Sequence, residues 1–185
     1  RRSIQAICKD FPGEYWRDQE ARREHAAEFT RAMTEAGYLS ALIPEEYGGA
    51  GLPLRAGGVI FEEISAAGCT ATNIRAQMYM MGMLVKHGSP AQKERYLRPL
   101  CEGHARSCFA MTEPEVAGSD PTLIQTRARL DGDHWVVNGH KWFISGANGA
   151  QFAILIARTE DAPEIPQAAN TAFIVDLPSE GWTVV

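Results

Sequence analysis

The chain has no surplus of positive charge. Eighteen Lys and Arg stand against 23 Asp and Glu, for a formal net charge of −5 and a pI near 5.6. A nucleic-acid surface needs a basic face, so this balance argues against that partner. No apolar run reaches about 18 residues, so no segment reads as a transmembrane helix, and no signal-peptide pattern opens the chain. Cysteines are few: Cys8, Cys69, Cys101 and Cys108, none in a CxxC pair. Cys101 and His104 have a CxxH spacing, but no second ligand pair follows at a zinc-site distance, so no metal site is expected. Scattered cysteines in an acidic chain fit a reducing, cytoplasmic compartment. The glycine-rich stretch at Gly48, Gly49 and Gly51 is followed by no GKS or GKT, and no strand-to-helix GxGxxG occurs. Walker and dinucleotide loops are thereby excluded.

What is present is a core-forming composition, with 45% hydrophobic residues over 185 positions. The apolar period changes along the chain. Ala26, Phe29, Met33 and Ala36 fall at helical spacing, predicting a helix over 18–36 that Gly37 stops. Residues 1–18 are ambiguous around Phe11-Pro12-Gly13. Helices are expected over 54–67 and 73–87, the second rich in methionine (Met78, Met80, Met81, Met83). Those methionines read as core gap-fillers or as a pocket wall. Ser89-Pro90-Ala91-Gln92 has serine at the N-cap, proline at N1 and glutamine at N3, a capping box.

After Gly103 the period becomes two. Strands are expected over 107–112, 124–130, 134–138, 141–145, 152–158, 171–176 and 182–185, with 162–170 a loop. Asp131-Gly132 and Asn138-Gly139 read as hairpin turns. The expected fold is therefore α+β, an N-terminal helical domain (1–104) followed by an antiparallel β-sheet or barrel domain (105–185). The chain opens on Arg1-Arg2 without a methionine and stops on the apolar Trp182-Thr183-Val184-Val185, which suggests a fragment.

Two stretches carry candidate chemistry. Cys108 to Asp120 runs from a strand through Glu113-Pro114 into a polar loop, Ala117-Gly118-Ser119-Asp120, able to aim N–H groups and a hydroxyl at an anion. In Lys141-Trp142-Phe143-Ile144-Ser145, a strand would put Phe143 and Ser145 on one face, a ring beside a hydroxyl. Alone, each stretch also suits an ordinary strand end. Together, CFAMTEPEVAGSD and VVNGHKWFISG resemble the β-domain of the flavin-dependent acyl-CoA dehydrogenases. IPEEYGGAGLP and GSPAQKERYLRPLCEG resemble that family's helical domain, in the same order.

The resemblance implies FAD as cofactor. Thr112 would bond the pyrimidine edge of the flavin, and Ser119 would sit near the pyrophosphate and the CoA ester. Phe143 would cover the flavin and Ser145 would bond flavin N5. Phe109, Met111, Gly118 and Ile144 complete the cofactor-holding set, and Tyr79 joins Ser119 as a substrate contact. The family's usual tryptophan, isoleucine, threonine is replaced here by Phe143, Ile144, Ser145. Glu115 and Val116 stand where one residue is common, a pattern similar to the branch acting on unusual or very-long-chain acyl groups. The implied reaction is α,β-dehydrogenation of acyl-CoA in fatty acid β-oxidation. An electron-transfer flavoprotein would accept the electrons, and the protein would be a homo-oligomer, dimer or tetramer, in a mitochondrial matrix or peroxisome if eukaryotic. The family's base is a glutamate in a C-terminal helical bundle, expected here beyond residue 185, so no catalytic residue is assigned. Of the nearby carboxylates Glu113, Glu115 and Asp120, the resemblance makes none the base, and Glu113 would be the first to mutate. The rival readings are a flavin oxidase or monooxygenase on the same fold, a non-catalytic flavin-binding subunit, and a scaffold without cofactor.

Overall fold

Ile4 and Cys8 lie one helical turn apart and give the first helix, α1 (Arg2–Lys9), a buried face. The computed structural model describes residues 1–160 and 164–185. The helix expected over 18–36 is two helices, α2 (Gly13–Arg22) and α3 (Ala27–Glu35). Arg23 takes a left-handed φ of 55° between them. The N–H groups of Arg23 and Glu24 close α2 on the Glu20 and Gln19 carbonyls, at 3.1 and 3.0 Å. Burial explains the split: α2 buries no residue, whereas Phe29 and Met33 of α3 are buried. The apolar period thus belongs to α3 alone. Phe11, Tyr15, Trp16 and Phe29 stack edge to face at 5.0–5.2 Å, which orders the stretch that sequence left ambiguous.

Helices α4 (Leu54–Ala66) and α5 (Thr72–His87) follow, each within a residue of expectation. Between α3 and α4 the glycine-rich loop turns tightly, and a Cβ on Gly49 would overlap the Ile43 carbonyl. The capping box forms as read: Gln92 N–H donates to Ser89 Oγ at 3.2 Å, and Ser89 N–H donates to Gln92 Oε1 at 2.9 Å. It opens α6 (Pro90–Gln92), which passes through a π-helical turn, Lys93–Leu97, into α7 (Arg98–Cys101). Phe29, Met33, Ile64, Ile74, Met80, Met81, Leu97 and Leu100 form the core of this unit, Arg1–Arg106.

The second unit, Ser107–Val185, is a five-stranded sheet. Its strands are β1 (Ser107–Ala110), β2 (Arg127–Asp131), β3 (His134–Asn138), β4 (Phe152–Arg158) and β5 (Asn170–Asp176). The sheet is mixed rather than wholly antiparallel. β2 with β3 and β4 with β5 are antiparallel, but β1 runs parallel to β4, Ser107 opposite Phe152. The long path from β1 to β4 contains the β2–β3 hairpin and so returns the chain in its original direction. β2 meets β4 only at Arg127 and Arg158, beyond the stretch that β1 occupies. β4 is the buried strand, with Phe152, Ala153, Ile154, Leu155 and Ala157 all in the core.

Two expected strands are absent: 141–145 is a turn and 182–185 is irregular. Of the loop expected over 162–170, Ala162 and Pro163 lie outside the described residues. Pro166–Ala169 is a 3-10 turn, and Asn170 already belongs to β5. The two hairpin signals also part company. Gly132 forms the β2–β3 turn with φ 62°. Gly139 makes no hairpin because no strand follows it; a Cβ there would overlap the Thr126 side chain. Gly139 is needed for close approach, Gly132 for backbone freedom. Gly139→Ala should therefore destabilise by about 3 kcal/mol through overpacking, and Gly132→Ala by about 1 kcal/mol through its left-handed backbone. Equilibrium urea unfolding of both variants checks this; a larger loss in Gly132→Ala would reverse the assignment.

Candidate functional site

The organising group is a carboxylate in the core. Glu113 is 3% exposed, immediately after β1 has left the sheet. Its oxygens accept from Gln125 N–H at 2.7 Å, Thr126 N–H at 2.8 Å, the Thr126 hydroxyl, and Lys141 Nζ at 2.8 Å. Burial pushes this carboxyl up, but the Lys141 and Thr126 side chains and the two backbone N–H groups outweigh it and hold it at about 2. The Lys141 ammonium is drawn below its ordinary value by burial, against the opposing pull of Glu113. Lys141 Nζ also donates to the Met111 carbonyl at 2.9 Å, and Trp142 N–H donates to the Thr112 carbonyl at 2.9 Å. The two stretches singled out from sequence are thus bonded residue by residue, 111–113 against 141–142.

Past that seam the chain is bent. Phe143 has φ 56°, a left-handed conformation that costs a bulky residue about 1–3 kcal/mol. Its ring is nonetheless 79% exposed and lies 4.1 Å, centroid to centroid, from the half-exposed Trp142 ring. Ile144 turns inward onto Cys108, Ala150 and Ala153. Ser145 is exposed, and its N–H donates to the Phe143 carbonyl at 3.1 Å. Phe143 and Ser145 therefore do not share a strand face, as the sequence suggested. They flank a half-buried Ile144 in an irregular segment, because a positive φ is incompatible with a pleated strand.

The other candidates fall into place around this turn. Met111 and Thr112 are half-buried. The Gly118-Ser119 turn folds back onto Thr112, since a Cβ on Gly118 would lie 3.1 Å from Thr112 Cγ2. Ser119 is exposed at the loop tip. Phe109 is half-buried within β1, opposite Ile154 of β4. Asp120 caps the short Pro121–Leu123 turn by accepting from Thr122 N–H at 3.0 Å and its hydroxyl at 2.6 Å. The Thr122 hydroxyl and N–H together hold its carboxyl below the ordinary range. A polar cleft of about 350 Å³ flanks the seam, lined by Glu113, Glu115, Gln125, Thr126, Gly139 and His140. Tyr79 belongs to the helical unit. It is 46% exposed and lines a largely apolar cavity of about 540 Å³ between α4 and α5, with Phe61, Met78, Met83 and Lys86. Of the methionines of α5, Met78, Met80 and Met81 are buried, and Met78 and the half-buried Met83 line the cavity.

Sequence reading missed Trp142, Thr126 and the Lys141–Glu113 pair. A lysine inside an otherwise apolar stretch was the available signal for the last, since buried charges require a partner. Chemically, the arrangement offers a flat exposed aromatic surface, hydroxyls at Thr112, Ser119 and Ser145, and a rigid seam beneath them. A planar heterocycle with hydrogen-bonding edges fits that set. Among the described residues no cluster of three metal-ligating side chains occurs, and no helix is long and apolar enough to cross a membrane.

The depressed Glu113 carboxyl has a pH consequence. Its folded value of about 2 lies below the ordinary 4.5, so its contribution, roughly 3 kcal/mol by linkage, is full above pH 4.5. It is lost as pH falls from about 4.5 toward about 2. Glu113→Gln should be less stable than the parent at pH 7, yet lose less stability on going to pH 3. Urea midpoints at the two pH values measure this, and equal losses in both proteins would contradict it.

Residues 1–104 match the acyl-CoA dehydrogenase N-terminal domain, and residues 108–185 match the acyl-CoA dehydrogenase middle domain. An acyl-CoA dehydrogenase of Mycobacterium tuberculosis is 34% identical over 184 residues, covering 99% of this chain and 47% of that protein. The mitochondrial short-chain specific acyl-CoA dehydrogenase of Homo sapiens is 37% identical over 158 residues, 83% of this chain and 37% of that protein. The acyl-CoA dehydrogenase of Geobacillus kaustophilus superposes with a TM-score of 0.86 at 27% identity, covering 98% of this chain and 49% of that one. A glutaryl-CoA dehydrogenase from Mycobacterium smegmatis in complex with FADH2 gives 0.83 at 28% identity, covering 98% and 46%. The chain spans about half the length, or less, of these relatives. With both of its units matched and its fold shared, this chain belongs to the acyl-CoA dehydrogenase family.

Proposed function

We propose that the protein containing this chain binds FAD and takes part in the α,β-dehydrogenation of an acyl-CoA thioester. The observation that carries the reading is Phe143: an aromatic ring held in the open on a left-handed backbone, next to Trp142, whose N–H is bonded to the Thr112 carbonyl. Exposing a large apolar ring and straining its backbone are both unfavourable without a ligand to stack on it. The chemistry of the neighbouring groups fits a flavin. The residues that would hold it are Phe109, Met111, Thr112, Gly118, Ser119, Phe143, Ile144 and Ser145. FAD, when bound, supplies the hydride acceptor.

This chain's own residues bind and orient. Phe143, with Trp142 packed on it, offers the stacking face. Thr112 and Ser145 offer hydroxyls to the ring's polar edges, and Ser119 offers one to a pyrophosphate or to the CoA ester. The α4–α5 cavity suits an acyl chain: it is mostly apolar, Met78 and Met83 adapt to shape, and Tyr79 stands half-exposed on its wall. The substrate is then an acyl-CoA, the electron acceptor an electron-transfer flavoprotein, and the assembly a homo-oligomer. Glu113 is no candidate base. Its carboxylate is fully engaged and held at about 2, far from the operating range of a proton acceptor.

Anaerobic mixing of the flavin-loaded intact protein with a panel of acyl-CoA esters tests the reading. Bleaching of the flavin band by at least one ester is expected; no bleaching by any ester, with reduction by a chemical electron donor intact, would exclude it. Thr112→Val should weaken flavin binding by about 1–3 kcal/mol, because a polar flavin edge is left unpaired. Equilibrium dialysis measures this, and an unchanged affinity would remove Thr112 from the site. Tyr79→Ala should move the chain-length preference of flavin reduction. An identical preference profile would take α5 out of the substrate pocket.

A further inference from the structure

Lys141 is nearly buried, with side-chain exposure of 9% against 2% for Glu113. One carboxylate suffices to neutralise a buried ammonium. Lys141 nevertheless makes a second, directional bond to the Met111 carbonyl at 2.9 Å, and its neighbour Trp142 bonds the Thr112 carbonyl at 2.9 Å. Three consecutive residues, 111 to 113, are thus each tied to 141–142. Neither stretch has a strand to hold it: β1 ends at Ala110, and 141–145 lie in no strand. Phe143 follows the tie directly, and Thr112 lies within it. Ile144 anchors the far side of Phe143 in the apolar cluster, so the ring is fixed from both directions.

We propose that Lys141 is a positioning residue, setting the spacing between the Thr112 hydroxyl and the Phe143 ring so that both address one planar ligand. The inference rests on the flavin reading above and adds to it the part that sets the geometry. Lys141 need touch no ligand for this; it acts through Met111, Glu113 and Trp142. Nor is its role only to hold the fold. Without Lys141, Glu113 keeps three donors, from Gln125 N–H, Thr126 N–H and the Thr126 hydroxyl. The carboxylate therefore stays held while the 141–142 side of the seam loosens.

The test uses the intact protein with Lys141→Met, Lys141→Arg, and Phe173→Ala in β5, which loses the packing on Trp135 of β3 and weakens the same unit on the far side of β4 from β1. FAD is titrated by quenching of its fluorescence, the visible band of the bound flavin is recorded, and flavin-free protein is melted. Lys141→Met should raise the flavin Kd about tenfold or more and shift the visible band, as small misplacements at a preorganised site do. Lys141→Arg, which can still donate to both acceptors, should recover most of that loss. Phe173→Ala should lower Tm at least as far while changing Kd less than about threefold, since β4 lies between it and the β1 end of the site. A Kd for Lys141→Met within about threefold of the parent would overturn the inference, as would a Kd that tracks Tm across all three variants. If the parent protein itself fails to quench FAD, the flavin reading falls and this inference with it, an outcome separate from the other two.

Discussion

The buried Glu113 carboxylate is the constraint on which the sheet unit depends. Taking a carboxylate and an ammonium out of water is expensive, and their mutual attraction repays this only when the geometry is good and the remaining hydrogen-bonding capacity is filled. Here it is filled from three separate segments: Gln125-Thr126, Lys141 and, through Lys141, the Met111 carbonyl. A half-satisfied version would be worse than an apolar core. The pair therefore contributes definition more than net stability: only one arrangement of the three segments satisfies it. Gly139 belongs to the same logic, since any larger residue would push the chain off Thr126 and away from Glu113.

That definition is what lets the molecule hold Phe143 where it is. The left-handed backbone and the exposed ring both raise the free energy of the ligand-free protein. Such strain persists only where surrounding structure over-determines it. On one side are the Lys141 and Trp142 bonds; on the other is Ile144 in its apolar cluster, followed by Ala147 N–H donating to the Ile144 carbonyl at 3.1 Å. A surface prepared in this way meets a flat ligand without a further loss of conformational entropy, which is the general advantage of preorganisation.

Much of the fold was legible because its signals are local. The Ser89–Gln92 box, the Asp131-Gly132 hairpin, the 134–138 and 152–158 strands and the α4 and α5 helices each depend on residues a few positions apart. What was not legible depends on distant partners. The 141–145 segment alternates like a strand, but its Trp142 N–H goes to the Thr112 carbonyl and its Ser145 N–H to the Phe143 carbonyl within the segment. The parallel pairing of β1 and β4 follows from the path of the intervening chain, which no local pattern encodes. The α2–α3 break was hidden because charged residues on an exposed helix look alike on either side of it. The two motif stretches, 108–120 and 141–145, were readable as candidates. The Lys141–Glu113 seam joining them was not, because the pairing spans 28 positions.

The seam also separates two tasks that sequence alone left mixed. Carboxylates close to a candidate ligand invite a role in proton transfer, and Glu113 and Asp120 both sit in the motif loop. A general base needs a free lone pair aimed at substrate and a pKa near the working pH. Glu113 has neither, and Asp120 spends its accepting oxygen on Thr122. Both are acidic because they are structural: their charge is what makes the loop rigid. The proposed grip on a ligand then rests on hydroxyls and backbone at the loop's surface, with the Glu113 carboxylate committed beneath. In the proposed dehydrogenation, the α-proton would pass to a group that these hydrogen bonds do not already occupy.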